Sequence, residues 1–272
     1  MTPPHALDLL FAAAAEGPDV EIPPGWGQGR ATFGGLVTGV LLARVHTAYD
    51  LDPATLRAAT TSFVAPVTEG PARVEASLLR RGSSATQAEV RLVQPDERTA
   101  EDTVRAVALA SYGADRPSSI EVAAARPAGP LPDPESLPVI PHLPGITPDF
   151  FAHVELRVAT GAFPFSGATG GALTGWMRFR DNPAHFDFAH FVALVDAWPP
   201  APGQMLTGPA GMSTLTWTIE PIGAITDAPE AAWWYEVTTD AAHNGYAHSH
   251  ARIFAADGTP VAISRQTITI FG

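Results

Sequence analysis

The 272-residue sequence has no cysteine and no lysine; all 16 of its basic residues are arginine. Without cysteine there is no disulfide, thiolate nucleophile, zinc ribbon or iron–sulfur ligation. Without lysine, Schiff-base chemistry, pyridoxal-phosphate catalysis and a P-loop nucleotide site are excluded. Charged residues make up only 16%, the net charge is −12, and no basic run exceeds Arg80-Arg81. That balance speaks against a nucleic-acid groove. No apolar run reaches the ~18 residues that cross a bilayer. The apolar stretch from Ala6 to Ala15 is short, holds Asp8 and lacks a basic flank. It is expected to be a small packed helix rather than a secretory signal, which places the chain in the cytoplasm. There is no Gly-x-Ser-x-Gly elbow. Gly27-Gln28-Gly29 is too short for a dinucleotide fingerprint.

Apolar residues are abundant, at 46%. Such a chain buries a large core, as one domain or as two of about 130 residues. Residues 6–16 read as a helix, and Asp19 to Arg30, with Pro23-Pro24 and three glycines, as a loop. From Ala31 to Val45 apolar residues fill most of a helical circumference, the mark of a buried helix. Four strands follow, at Thr60–Pro66, Ala72–Arg80, Ala85–Val93 and Thr103–Tyr112, two of them alternating in period two. Residues 114–148 carry nine prolines and read as a linker.

The second half repeats that order. A helix at about 187–198 precedes strands at Ser213–Pro221, Ala232–Thr239, Tyr246–Phe254 and Val261–Ile270. Its central stretch places Phe191, Leu194, Val195 and Trp198 on one stripe, and Pro199-Pro200 ends it. Asp196 lies beside that stripe near the helix C-terminus, where the helix dipole disfavours a carboxylate. The division expected is a unit at 1–113, the linker at 114–148 and a second unit at 149–272.

Five stretches carry a likeness to a known family. They are Thr32-Phe33-Gly34-Gly35, Leu79-Arg80-Arg81-Gly82-Ser83-Ser84, Val195-Asp196-Ala197, Trp233-Trp234-Tyr235-Glu236 and the run from Asp257 to Gln266. On these the chain resembles the acyl-CoA thioesterase II-like, double hot-dog thioesterases, from about residue 7 to 271. The resemblance implies an α+β double hot-dog, two units each with a helix wrapped by antiparallel sheet. It implies hydrolysis of an acyl-CoA thioester to free acid and CoA, in lipid metabolism, with neither metal nor other cofactor. The family's catalytic Asp, Thr (or Ser) and Gln fall on Asp196, Thr214 and Gln266, with Ser213 and Thr216 beside Thr214 as alternative hydroxyls. The family often has Asp two residues after that Thr; here the residue is Thr216. Such chemistry needs a deprotonated, oriented water and donors for the oxyanion. Backbone N–H groups of Gly34 and Gly35, at a helix start, suit the second role. The anionic CoA tail calls for arginine, with Arg80 and Arg81 first and Arg178 and Arg180 next. Exposed sheet edges suggest a homo-oligomer.

Two other readings compete. Asp181-Asn182-Pro183-Ala184-His185 is similar to the acid–base segment of hot-dog enoyl-CoA hydratases, although one spacer residue is missing, and an Asn-Pro loop capping a helix explains it equally. A non-catalytic acyl-CoA-binding protein is the third class. His248 and His250 share a strand face near His243, a metal pair that lacks an acidic third ligand.

Overall fold

The computed structural model describes residues 4–96, 99–226 and 228–271. The first half runs α1 (Ala6–Glu16), β1 (Asp19–Ile22), the short strands β2 (Gly27–Gln28) and β3 (Ala31–Thr32), and α2 (Gly34–Ala48). It continues with β4 (Leu56–Phe63), β5 (Gly70–Arg81), β6 (Thr86–Pro95) and β7 (Asp102–Tyr112). The second half contains β8 (Val154–Thr160), β9 (Ala172–Phe179), α3 (Phe188–Val195), β10 (Gly211–Pro221), β11 (Trp233–His243), β12 (Tyr246–Phe254) and β13 (Pro260–Phe271).

Eleven of these strands form one antiparallel sheet in the order β1-β5-β6-β7-β4-β10-β13-β12-β11-β9-β8. The repeat read from the sequence is visible in that order. In each half the strand after the helix lies innermost, and the three that follow stack outward in reverse. The halves join where β4 pairs with β10, Thr61 opposite Trp217. The helices α2 and α3, with α1 beside them, lie in a single core, which includes Leu36, Leu41, Phe191 and Leu194, each fully buried. Burying one such side chain contributes roughly 1.5–3 kcal/mol.

The helices α2 and α3 cross closely and antiparallel because glycine faces a carbonyl at two successive turns. A Cβ on Gly35 would overlap the Ala193 carbonyl oxygen, and one on Gly39 would come within 2.9 Å of that of Ala189. Repeats of four on both helices bring those turns into step. This contact sets the height of Asp196, the C-cap of α3, against the start of α2.

The structure corrects several sequence expectations. Within the stretch expected to be loop, Asp19–Ile22 is an edge strand on β5, with Val20 and Ile22 buried and Asp19 and Glu21 outward. Four residues of alternation were masked by the prolines that follow. The first long helix starts at Gly34 rather than Ala31, since Ala31 and Thr32 pair back onto Gln28 and Gly27. α3 ends at Val195, before its diproline, and starts where the Asp187 carboxylate accepts a hydrogen bond from His190 N. Strands β8 and β9 were not anticipated. The Pro-rich segment is a strap laid on the second half. Trp176 Nε1 donates to Pro132 O, Val139 bridges to Arg157, and Leu131 and Leu137 pack on Trp176, Trp234 and Phe254.

Candidate active site

Two helix ends meet at Asp196. Its position at the C-terminus of α3 is electrostatically poor, and the N-terminus of α2 offsets this. The Gly35 backbone N–H donates to the carboxylate, where the positive end of the α2 dipole favours negative charge. Gly34 leaves room for the group, since a Cβ there would stand 2.8 Å from Asp196 Oδ2. Gln266 Nε2 on β13 donates to Oδ1 at 2.7 Å. Burial pushes the Asp196 carboxyl up, the Gln266 and Gly35 hydrogen bonds pull it back, and the balance is a pKa of about 7. A carboxyl so poised accepts a proton near neutrality.

Asp196 borders a cleft of about 280 Å³ whose walls include Gly34, Phe63, Thr214, Leu215 and Phe271. Thr214 reaches that wall through a β-bulge. On β10, Thr214 pairs with Ile268 and Thr216 with Thr267, leaving Leu215 without a partner. Simple alternation would put Thr214 and Trp217 on opposite faces. The bulge restores both to the inner face, opposite Ile268 and Gln266. Thr216 faces the opposite way, in a separate outer depression with His248 and Arg265. Ser213 also borders the cleft, as an exposed residue opposite Thr269.

Other expected residues lie elsewhere. Arg81 donates to Tyr49 O at the C-cap of α2, the far end of a 15-residue helix about 22 Å long. It and its exposed neighbour Arg80 are therefore not brought to this cleft within one chain. The sequence cue misled because a strand's sequence does not tell which end of the helix its tip reaches. Arg178 is committed to Glu135 and Glu155, and Arg180 to the carbonyls of Phe151 and Ile140. Gly35 N–H is engaged with Asp196, which leaves Gly34 as the less committed of the two expected oxyanion donors. Asp181 and His185 are exposed and sit before the opposite end of α3; His185 borders a different cleft, with His46 and Asp187. His250 pairs with Asp240 at 2.7 Å. Among the described residues no group of three or more His, Cys, Asp or Glu is placed to hold a metal.

One neighbour had no role assigned from the sequence. Tyr235, within the Trp-Trp-Tyr-Glu stretch, stacks on Trp198 with ring centroids 5.6 Å apart. Burial, and then the charge of Asp196, raise its pKa, so it stays a neutral phenol beside the carboxyl. The signal available was a tyrosine in a run of buried aromatics, which reads as core.

The continuous sheet, the paired helices and the carboxyl at their junction define a double hot-dog protein. Its halves match two models of one family, the acyl-CoA thioesterase N-terminal domain over residues 22–113 and the C-terminal domain over residues 128–270. The chain belongs to the acyl-CoA thioesterase family and is a thioester hydrolase. Among solved structures it is similar to a hot-dog-fold protein of unknown function from Alicyclobacillus acidocaldarius, at 21% identity over 99% of both chains with a TM-score of 0.81. It is also similar to the acyl-CoA thioesterase II TesB2 from Mycobacterium marinum, at 22% identity over 89% of this chain and 90% of that one, TM-score 0.68. A tesB protein from Mycobacterium avium subsp. paratuberculosis aligns at 15% identity over 96% and 98%, TM-score 0.69. At these identities the likeness is one of fold. No curated protein matches the chain.

Proposed function

We propose that the protein hydrolyses an acyl-CoA thioester to the free acid and CoA, with Asp196 as general base toward water. The observation that carries this reading is the Asp196 carboxyl at the junction of α2 and α3, held by Gln266 at 2.7 Å and poised at about 7. Asp196 takes a proton as the water oxygen bonds to the thioester carbon. The carbonyl oxygen becomes an oxyanion, which the Gly34 N–H at the start of α2 stabilises. The C–S bond then breaks, and the CoA sulfur leaves with the proton that Asp196 had taken. Thr214 and Gln266 orient the water by hydrogen bonds. No step calls for a metal or cofactor. Water enters through the cleft bordered by Phe63, Leu215 and Phe271, whose apolar walls suit an acyl chain. We propose further that the protein acts in lipid metabolism, in the cytoplasm, as a homo-oligomer, with units bounded near residues 113 and 149.

The test is release of free thiol from straight-chain and aromatic acyl-CoAs by the wild type and by Asp196→Asn. Hydrolysis lost in the variant supports the assignment. Binding of acyl-CoA with no thiol from either protein would identify a binding protein. Hydration of a trans-2-enoyl-CoA without thiol would transfer the chemistry to Asp181 and His185.

A further inference from the structure

Acyl-CoA carries its negative charge on the phosphates of its nucleotide, and the protein itself is strongly acidic. Substrate therefore needs a local cation, and none of the residues bordering the cleft is basic. Most arginines of the described residues are already engaged. Arg57, Arg73, Arg91, Arg157, Arg178, Arg252 and Arg265 form ion pairs with carboxylates. Arg44, Arg81, Arg105, Arg126 and Arg180 donate to carbonyl oxygens. Among the described residues Arg30, Arg80 and Arg116 have none of these commitments, and of the three Arg30 stands beside the cleft. It occupies the two-residue turn of the β2–β3 hairpin, is exposed, and lies between two residues, Gln28 and Ala31, that border the cleft.

The hairpin is a firm mount rather than a loose loop. At its base Phe33 N donates to Trp26 O at 2.8 Å, and Thr32 N to Val67 O at 2.7 Å. Trp26 is buried and stacks on His153 with centroids 4.3 Å apart. At the tip, Gly29 takes a φ of +67°, the left-handed conformation that glycine adopts freely. The backbone is thus fixed up to the residue that carries the charge, and only the guanidinium side chain is left to adapt.

We infer that Arg30 is the specificity-determining cation of this cleft, binding a phosphate of the CoA nucleotide while the thioester reaches Asp196. The inference rests on the proposed acyl-CoA substrate. A guanidinium offers a planar pair of N–H donors to phosphate, and an exposed one acts with a strength that salt reduces. Its contribution falls on binding and not on the chemical step, because the phosphates lie remote from the bond that breaks.

The experiment compares wild type, Arg30→Ala and Arg30→Lys on two substrates with the same acyl group, the acyl-CoA and its N-acetylcysteamine thioester, which has no phosphate. Arg116→Ala, another exposed arginine outside the cleft, serves as control. Arg30→Ala is expected to raise KM for acyl-CoA roughly tenfold relative to its effect on the truncated thioester, with kcat for acyl-CoA little changed. The ratio should shrink as ionic strength rises, and Arg30→Lys should keep most of the wild-type KM. Calorimetric titration with CoA itself gives a readout independent of turnover, with Kd expected to weaken by a similar factor. An equal KM change on both thioesters, or CoA affinity unaltered in Arg30→Ala, would overturn the inference. Absence of thiol release by the wild type would count against the proposed hydrolysis, and the CoA titration would still decide the role of Arg30.

Discussion

Replacing Asp196 by Asn should make the protein more stable at neutral and alkaline pH while removing its activity. The folded carboxyl has a pKa of about 7 against an ordinary value of 3.8, because burial penalises its charge more than Gln266 and Gly35 stabilise it. The sign follows from proton binding. Between pH 3.8 and about 7 the folded protein holds a proton that the unfolded chain has lost, so stability falls as pH rises through that window. Below it the contribution vanishes. Above it, at 1.36 kcal/mol per unit, the carboxylate costs the fold about 4 kcal/mol, and at pH 5 about 1.5 kcal/mol. Asn has nearly the same shape, and its amide oxygen can still accept from Gln266 Nε2 without carrying a charge. The variant should therefore unfold at a higher denaturant concentration at pH 8, or melt roughly 10 °C higher. The advantage should dwindle toward pH 4. Equilibrium unfolding of both proteins at pH 4, 5, 7 and 8 measures this. A variant no more stable at pH 8, or a difference that stays constant with pH, would refute the reasoning.

Three further outcomes are expected. Gln266→Ala removes a 2.7 Å hydrogen bond that favours the Asp196 carboxylate, so the acid limb of the kcat/KM profile should move to higher pH while kcat/KM drops on the order of 100-fold. Thr214→Val should lower kcat by roughly 10–100-fold with the melting temperature nearly intact, and Thr214→Ser should restore most of it, as steady-state assays would show. Gly35→Ala forces a methyl into the Ala193 carbonyl, and denaturant titration should show a loss of about 1–3 kcal/mol.

Much of the architecture was legible because the helix–strand order recurs and because β5 and β6 alternate cleanly. β1 and β8–β9 were less so. Four residues before Pro23-Pro24 give too short a period to read, and β9, with Leu173, Gly175, Trp176, Met177 and Phe179 buried, has no plain alternation of apolar and polar residues. At the site, Asp196 and Gln266 were legible through the family likeness alone. That the two meet depends on the glycine crossing of α2 and α3, which is a matter of packing. Which of Thr214 and Thr216 faces the cleft depends on the bulge at Leu215, since period-two reading assigns faces wrongly across it. Arg80 and Arg81 stand in one of the stretches that carry the family likeness, whereas Arg30 ends a Pro- and Gly-rich stretch that reads as loop. Chain folding reversed their proximity to the cleft.

The most direct test of the central claim is the pH dependence of kcat/KM for acyl-CoA hydrolysis, measured on wild type and Asp196→Asn. The account predicts a wild-type rate that rises with pH to a plateau with an inflection near 7, and a variant reduced at least 100-fold with no such inflection. Wild-type turnover retained by Asp196→Asn would contradict it.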